Sequence, residues 1–247
     1  MEVQTEYRGI LSQLFLDARD TDEFEFCCVL LRLRGLQSRG WDSLVESRRL
    51  VQDVTGLLNA PLQDEFKLRM LFLLYCHVCE MNDLYSIVAN LLRIVAGERY
   101  VIDPFHYELS PSRKPAIYPE QKVERITQLA ESANRQSVSE IYKYFLVKEV
   151  RNAFYHSDYT FDEESLRIVS GGGVIINSVM TREIPFDWLI PRMQTAINVL
   201  FTVLDLMSHH RSGYREKKII KGRILNGDEC DEVTLLVNSL GLAGFQA

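Results

Sequence analysis

Three side chains suited to a phosphodiester stand within six residues of one another: Arg151, Asn152 and His156, in the run Arg151-Asn152-Ala153-Phe154-Tyr155-His156-Ser157-Asp158-Tyr159. A guanidinium is always charged and pairs bidentately with phosphate oxygens. An imidazole moves a proton near neutral pH. An amide can orient either of them. On an ideal helix Asn152 and His156, four apart, share a face, whereas Arg151 and His156, five apart, diverge by about 140°. The two converge on one ligand if the helix ends near Tyr155, or if two copies of the segment meet across a dimer axis. Ser157-Asp158 reads as such an exit into a strand. The same residues also have a plain structural use. Arg151 can pair with Glu149 or Asp158, Asn152 can cap the chain reversal, and His156 suits a helix C-terminus, where the dipole favours a cation.

Helical periodicity supplies most of the elements that must position this segment. Ile10, Leu11, Leu14 and Phe15 stripe a first helix. Thr21 and Asp22 cap a second, with Phe24, Cys27, Cys28 and Leu31 inward, although Phe24-Glu25-Phe26 also alternates like a strand. Leu44 to Leu58 suits a third. Pro61 opens a fourth through Leu62, Phe66, Met70, Leu73, Leu74 and His77. Leu84 to Val95 continues that face until Gly97 stops it, and Asn82-Asp83 leaves open whether the helix breaks between. From Glu98 to Glu120 the pattern lapses, and Pro104, Pro111, Pro115 and Pro119 predict a long surface connection. A helix resumes near Pro119, a polar turn covers Asn134 to Ser137, and one further helix is expected from about Val138 to about His156.

The period then changes to two. Tyr159-Thr160-Phe161 and Leu166 to Val169 read as strands, Gly171-Gly172-Gly173 as a turn, and Val174-Ile175-Ile176 as the strand that pairs back. A long helix follows from about Pro185 to Met207, striped by Trp188, Met193, Ile197, Leu200 and Leu204 as core or dimer interface; the tail after His209 is less regular. The expected fold is mainly α: a multi-helix bundle with one β-hairpin, at about 159–183, inserted before the last long helix. Residues 1–60 are expected as an N-terminal helical extension packing on the bundle, 61–210 as the bundle and 211–247 as a basic C-terminal segment, with a single domain as the alternative.

The Arg151-Asn152-x-x-x-His156 run at a helix end resembles the Arg-x4–6-His motif of the HEPN superfamily, including the polar residue after the Arg. The element order extends the resemblance over roughly residues 60–210. Tyr159 lies three residues after the His, where some members place a Tyr two after. The resemblance implies a HEPN-like helical bundle, acting without metal or cofactor as an endoribonuclease in toxin–antitoxin, antiviral or RNA-processing settings. It implies attack of an RNA 2′-hydroxyl on the adjacent phosphorus, leaving a 2′,3′-cyclic phosphate. Arg151, Asn152 and His156 are then the catalytic set, and a homodimer lines one cleft with two motifs. RNA is the implied substrate, and an antitoxin or another protein is an implied partner. The alternative is a non-catalytic HEPN-like module that binds RNA, a nucleotide or a protein.

Auxiliary candidates are Glu80 and His77 on the fourth helix, and Tyr159. Arg211, Arg215, Lys217 and Lys218 belong to a run, continued by Lys221 and Arg223, that is suited to an RNA backbone, to an acidic partner or simply to solvent. Cys76-His77-Val78-Cys79 lacks the second ligand pair of a structural zinc site and reads as buried helix. Gly171-Gly172-Gly173 lacks the Lys-Ser/Thr ending of a phosphate loop, and His209-His210 reads as a helix end. At 47% hydrophobic and 25% charged the 247 residues suit a globular protein, and a net charge of −6 excludes generic polyanion binding. Five cysteines without framework spacing, a start lacking signal-peptide character and apolar runs too short for a bilayer predict a reduced, cytoplasmic protein not inserted in a membrane.

Overall fold

Aspartates start two of the helices by accepting from otherwise unpaired N–H groups. The computed structural model describes residues 2–32, 42–106, 116–223 and 230–246. Helix α1 (Glu2–Thr21) leads into α2 (Glu23–Leu31), where the Asp22 carboxylate accepts from the Glu25 N–H at 3.1 Å. Asp42 opens α3 (Ser43–Leu58) in the same way, accepting from Leu44 N–H at 3.0 Å. Helix α4 (Asp64–Glu80) begins three residues after Pro61, because Pro61 and Leu62 belong to a turn. It stops at Met81, whose extended backbone separates it from α5 (Asn82–Val95). Gly97 closes α5: at φ +81° it lets the Glu98 N–H reach back to the Arg93 carbonyl at 2.8 Å, a turn that favours glycine.

Helix α5 is buried on most sides and packs against α1, α2 and α6 (Pro119–Ser132). The connection before α6 is stapled down. Asn90 bonds both the N–H and the carbonyl of Val101, the Glu25 carboxylate accepts from the Tyr100 N–H at 2.9 Å, and Pro104 and Phe105 are buried. The expected loose surface loop is corrected to that extent, and Pro111 and Pro115 lie outside the described residues.

The single helix expected from about Val138 to His156 is two helices, α7 (Gln136–Phe145) and α8 (Lys148–Tyr155). Leu146 and Val147 are extended between them. The buried Tyr75 hydroxyl of α4 sits in the break, donating to the Phe145 carbonyl and accepting from the Val147 N–H, each at 2.9 Å. One side chain from a distant helix thus satisfies the two backbone groups that an unbroken helix would have paired.

After α8 the chain forms small antiparallel sheets in place of one hairpin. Strand β2 (Ser165–Ile168) lies between β1 (Tyr159–Phe161) and β5 (Glu183–Pro185). Strand β3 (Val174–Ile176) does not pair back on β2. It pairs with β4 (Val179–Thr181) through a tight turn at Asn177 and Ser178, both at positive φ. Helix α9 (Phe186–Ser212) then packs against α4, α1 and α7.

The segment after His209, read as irregular, is a meander of β6 (Lys218–Arg223), β7 (Cys230–Asn238) and β8 (Gly241–Gln246) lying on α2. One buried cluster runs from Leu11 in α1 to Leu242 in β8, through all three segments of the chain. Among the described residues no helix is long and apolar enough to cross a membrane.

Two predictions follow from this packing. Tyr75→Phe keeps the ring and leaves the Phe145 carbonyl and Val147 N–H unpaired. Denaturant titration should show a loss of about 1–3 kcal/mol, and hydrogen exchange should quicken in α8. The second concerns His210, stacked on Phe15 at 5.4 Å and edge-on to Phe26 at 5.3 Å. Burial first, then the neighbouring His209 and Arg19, push its pKa down from 6.5 to about 4. The unfolded chain therefore binds the extra proton first. This contribution to stability is whole above about 6.5 and is lost as pH falls towards 4. The melting temperature should fall less on acidification for His210→Phe than for the wild type; equal falls would count against this.

Candidate functional site

Arg151 lies on the inner face of α8 with 7% of its surface exposed. Its burial follows from helix phase, since Val150 and Ala153 face the same core. A charge so enclosed needs partners. One Nη bonds Glu80 at the end of α4, and the other donates to the Asn152 amide oxygen at 2.5 Å. Glu120 in the first turn of α6 stands 3.6 Å from that second Nη. Burial alone would lower the Arg151 pKa; the Glu80 hydrogen bond and the Glu80 and Glu120 charges outweigh it and raise it. The guanidinium stays charged.

A second cation lies alongside. Lys122 of α6 is 4% exposed, its ammonium donates to the Asn82 side-chain oxygen, and it lies 5.8 Å from the centre of the Tyr85 ring. Burial pulls its pKa below the usual lysine range, with Glu80 and Asp103 acting in the opposite direction. Glu120 also faces Lys148, 3.6 Å from its other oxygen. The site is therefore two buried cations and two half-exposed carboxylates, gathered where α4, α6 and α8 meet.

His156 sits just outside. Helix α8 closes on a Schellman turn: Ser157 at φ +57°, with the Asp158 N–H on the Ala153 carbonyl at 2.8 Å and the Ser157 N–H on the Phe154 carbonyl at 3.1 Å. This is the helix exit that Ser157-Asp158 suggests. It leaves the His156 imidazole exposed, while Arg151 points inward. The chain does not pair Arg151 with Glu149 or Asp158; the Asp158 carboxylate accepts instead from the Ser170 hydroxyl at 2.6 Å. Asn152 orients the guanidinium rather than His156.

The auxiliary candidates separate. Glu80 joins the cluster. His77, one turn earlier on α4, is half-buried, with Nε2 closed off from solvent and unpaired, and burial lowers its pKa. No hydrogen bond joins it to Arg151, Asn152 or His156. Tyr159 belongs to an aromatic cluster, edge-on to Phe72 at 5.0 Å and stacked on Phe154 at 6.0 Å. Its ring anchors β1 directly after the motif.

In the basic run, Arg211 donates to the Leu242 carbonyl at 2.7 Å, and Lys218 pairs with Glu23 at 2.6 Å. Arg215 and Lys217 are exposed. Cys76 and Cys79 are buried, and burial pushes the Cys79 thiol up to about 12 and the Cys76 thiol higher still. Among the described residues no group of three or more His, Cys, Asp or Glu side chains is arranged to hold a metal ion.

Glu120, Lys122 and Asn82 are not among the site residues expected from the sequence, where Asn82 figures only as a possible helix break. Lys122 left a trace: it lies four residues before Ile126, on the inward stripe of α6, where a charge is out of place. Glu120 reads as an ordinary first-turn acid, and only the approach of Arg151 and Lys148 from α8, 3.6 Å each, gives it another role.

Comparison with protein-family models, curated proteins and solved structures returned no match.

The burial contrast makes a direct prediction. Arg151→Ala strips Glu80 of its counter-charge, leaves Glu120 with Lys148 alone, and should cost about 1–3 kcal/mol in denaturant titration. His156→Ala, at an exposed position, should stay within about 0.5 kcal/mol of the wild type.

Proposed function

We propose that this chain is a HEPN-type endoribonuclease that needs no metal and acts as a cytoplasmic homodimer, in the setting of a toxin or an antiviral effector. One observation supports the reading best: the motif lies at a helix end that leaves an imidazole open to solvent, one turn beyond a guanidinium kept charged by its surroundings. Within one chain Arg151 and His156 point to different environments. Two copies meeting at the ends of α8 would supply two imidazoles to a single cleft.

In the reaction the RNA 2′-oxygen bonds to the adjacent phosphorus and the bond from phosphorus to the 5′-oxygen breaks. One His156 takes the 2′-hydroxyl proton, and a second gives a proton to the leaving 5′-oxygen. The products are a 2′,3′-cyclic phosphate and a 5′-hydroxyl. Arg151 stabilises the charge that builds on the phosphoryl oxygens, and Asn152 holds the guanidinium in place. DNA lacks the attacking group.

A second reading is favoured by the ion pairs themselves. Arg151 already has carboxylate partners, as a purely structural arginine would, and the chain is then a non-catalytic module that binds RNA, a nucleotide or a protein.

The deciding experiment incubates RNA in EDTA with wild type, His156→Ala and Arg151→Ala, and maps the ends formed. The expected result is cleavage by the wild type, ending in cyclic phosphate, with a loss of roughly 100-fold or more in each variant. His156→Ala carries the decision, because it is expected to fold normally. Equal residual cleavage in that variant would reject the enzyme reading.

A further inference from the structure

Glu80 is placed unlike the two buried cations of the site. Arg151 and Lys122 are 7% and 4% exposed, yet the Glu80 side chain, which neutralises the first and favours the charge of the second, is 36% exposed. It forms the solvent side of the cluster. Glu120 stands between Arg151 and Lys148 at 3.6 Å from each, and the oxygen it turns to Arg151 is closed off from solvent.

The present pairing leaves two groups unmet. Arg151 Nε and Glu120 Oε2 are both closed off from solvent without a hydrogen-bond partner. Unpaired buried polar atoms cost free energy, so this pairing is not the best the cluster can make. The 3.6 Å gap to Glu120 is too long for a hydrogen bond, and closing it takes a shift of less than about 1 Å. A guanidinium that moved towards Glu120 would leave its outer edge facing solvent where Glu80 had been. The charges support one exchange only. A phosphodiester carries one negative charge, as the Glu80 carboxylate does, so its arrival at Arg151 in place of Glu80 leaves the charge around the guanidinium unchanged.

We propose that Glu80 is an internal stand-in for substrate: in the free protein it occupies the position of an RNA phosphate, and binding displaces it from Arg151 while Glu120 remains as the fixed counter-charge. The inference rests on the endoribonuclease reading for the identity of the phosphate. Glu80 sets a threshold that any strand must overcome. A competing internal carboxylate lowers apparent affinity by the fraction of time it holds the site.

The test is binding of a fluorescent 2′-O-methyl RNA strand, which has phosphates and no attacking hydroxyl, followed by anisotropy at low salt, where charge effects are least screened. Glu80→Gln in the full chain should bind roughly tenfold more tightly than the wild type. Adding Arg151→Ala should abolish the gain. Glu80→Asp keeps the charge but draws it back by one methylene, and should give a smaller gain. It decides the matter if melting shows Glu80→Gln to be unfolded. Unchanged or weaker binding in the folded variant overturns the proposal, as does a gain that survives loss of Arg151. Wild-type cleavage that His156→Ala abolishes, with no tightening from Glu80→Gln, would remove this inference and leave the enzyme. Tightening without cleavage would do the reverse.

Discussion

A guanidinium shut away from water has to be neutralised where it lies, and that requirement organises the centre of this protein. Arg151 draws the last residue of α4, the first turn of α6 and the inner face of α8 to one point. Coulomb attraction in such a setting is strong, and so is the cost of leaving either sign alone. The break between α4 and α5 at Met81 follows the same point, since it places Glu80 and Asn82 on either side of a corner, one against Arg151 and the other against Lys122. The ion pairs fix where these helix ends stand relative to one another, within a continuous apolar core.

Helix α8 is eight residues long, and a helix of that length does not hold itself together in water. Tertiary anchors hold it. The Tyr75 hydroxyl fixes its start, and the Schellman turn at Ser157 closes its end. The Tyr155 hydroxyl ties that end to the Cys76 carbonyl at 3.4 Å. The aromatic group of Phe72, Phe154, Tyr159 and Phe161 clamps the strand that follows. Every anchor except the turn involves α4, so α4 is the rail along which the motif is aimed. A short segment held from outside can present an inward cation and an outward imidazole within six residues.

What could be read from the sequence and what could not divides along physical lines. Local signals were legible. Asp22 as a cap, Gly97 as a stop, Pro119 at a helix start and the exit at Ser157-Asp158 depend on neighbours a few residues away. Long-range satisfaction was not. Residues 138–156 carry an unbroken helical stripe, and only Tyr75, some seventy residues earlier, makes the interruption at Leu146 and Val147 tolerable. The pairing of β3 with β4 was hidden because short apolar runs do not name their partners, and Asn177-Ser178 is a less obvious turn than three glycines. In the site, Arg151, Asn152 and Glu80 were recognised as candidates, but the enclosure of Arg151 and the part of Glu120 depend on side chains that α4 and α6 bring to α8 from far along the chain. The C-terminal meander was masked by its lysines and arginines, which suggested a solvated tail and are partly spent on the acids of α2.

That last arrangement bears on how the protein is made. The Glu25 carboxylate is 5% exposed, and one of its ligands is Arg223, 198 residues further along the chain. Burial raises its pKa in the folded protein, so the enclosed carboxylate relies on Arg223 and the Tyr100 N–H to remain an anion. During synthesis α2 emerges long before the strand that covers it. The two ends of the described chain settle together, and a ribosome stalled before β6 would display α1 and α2 with an unfinished surface for chaperones to recognise.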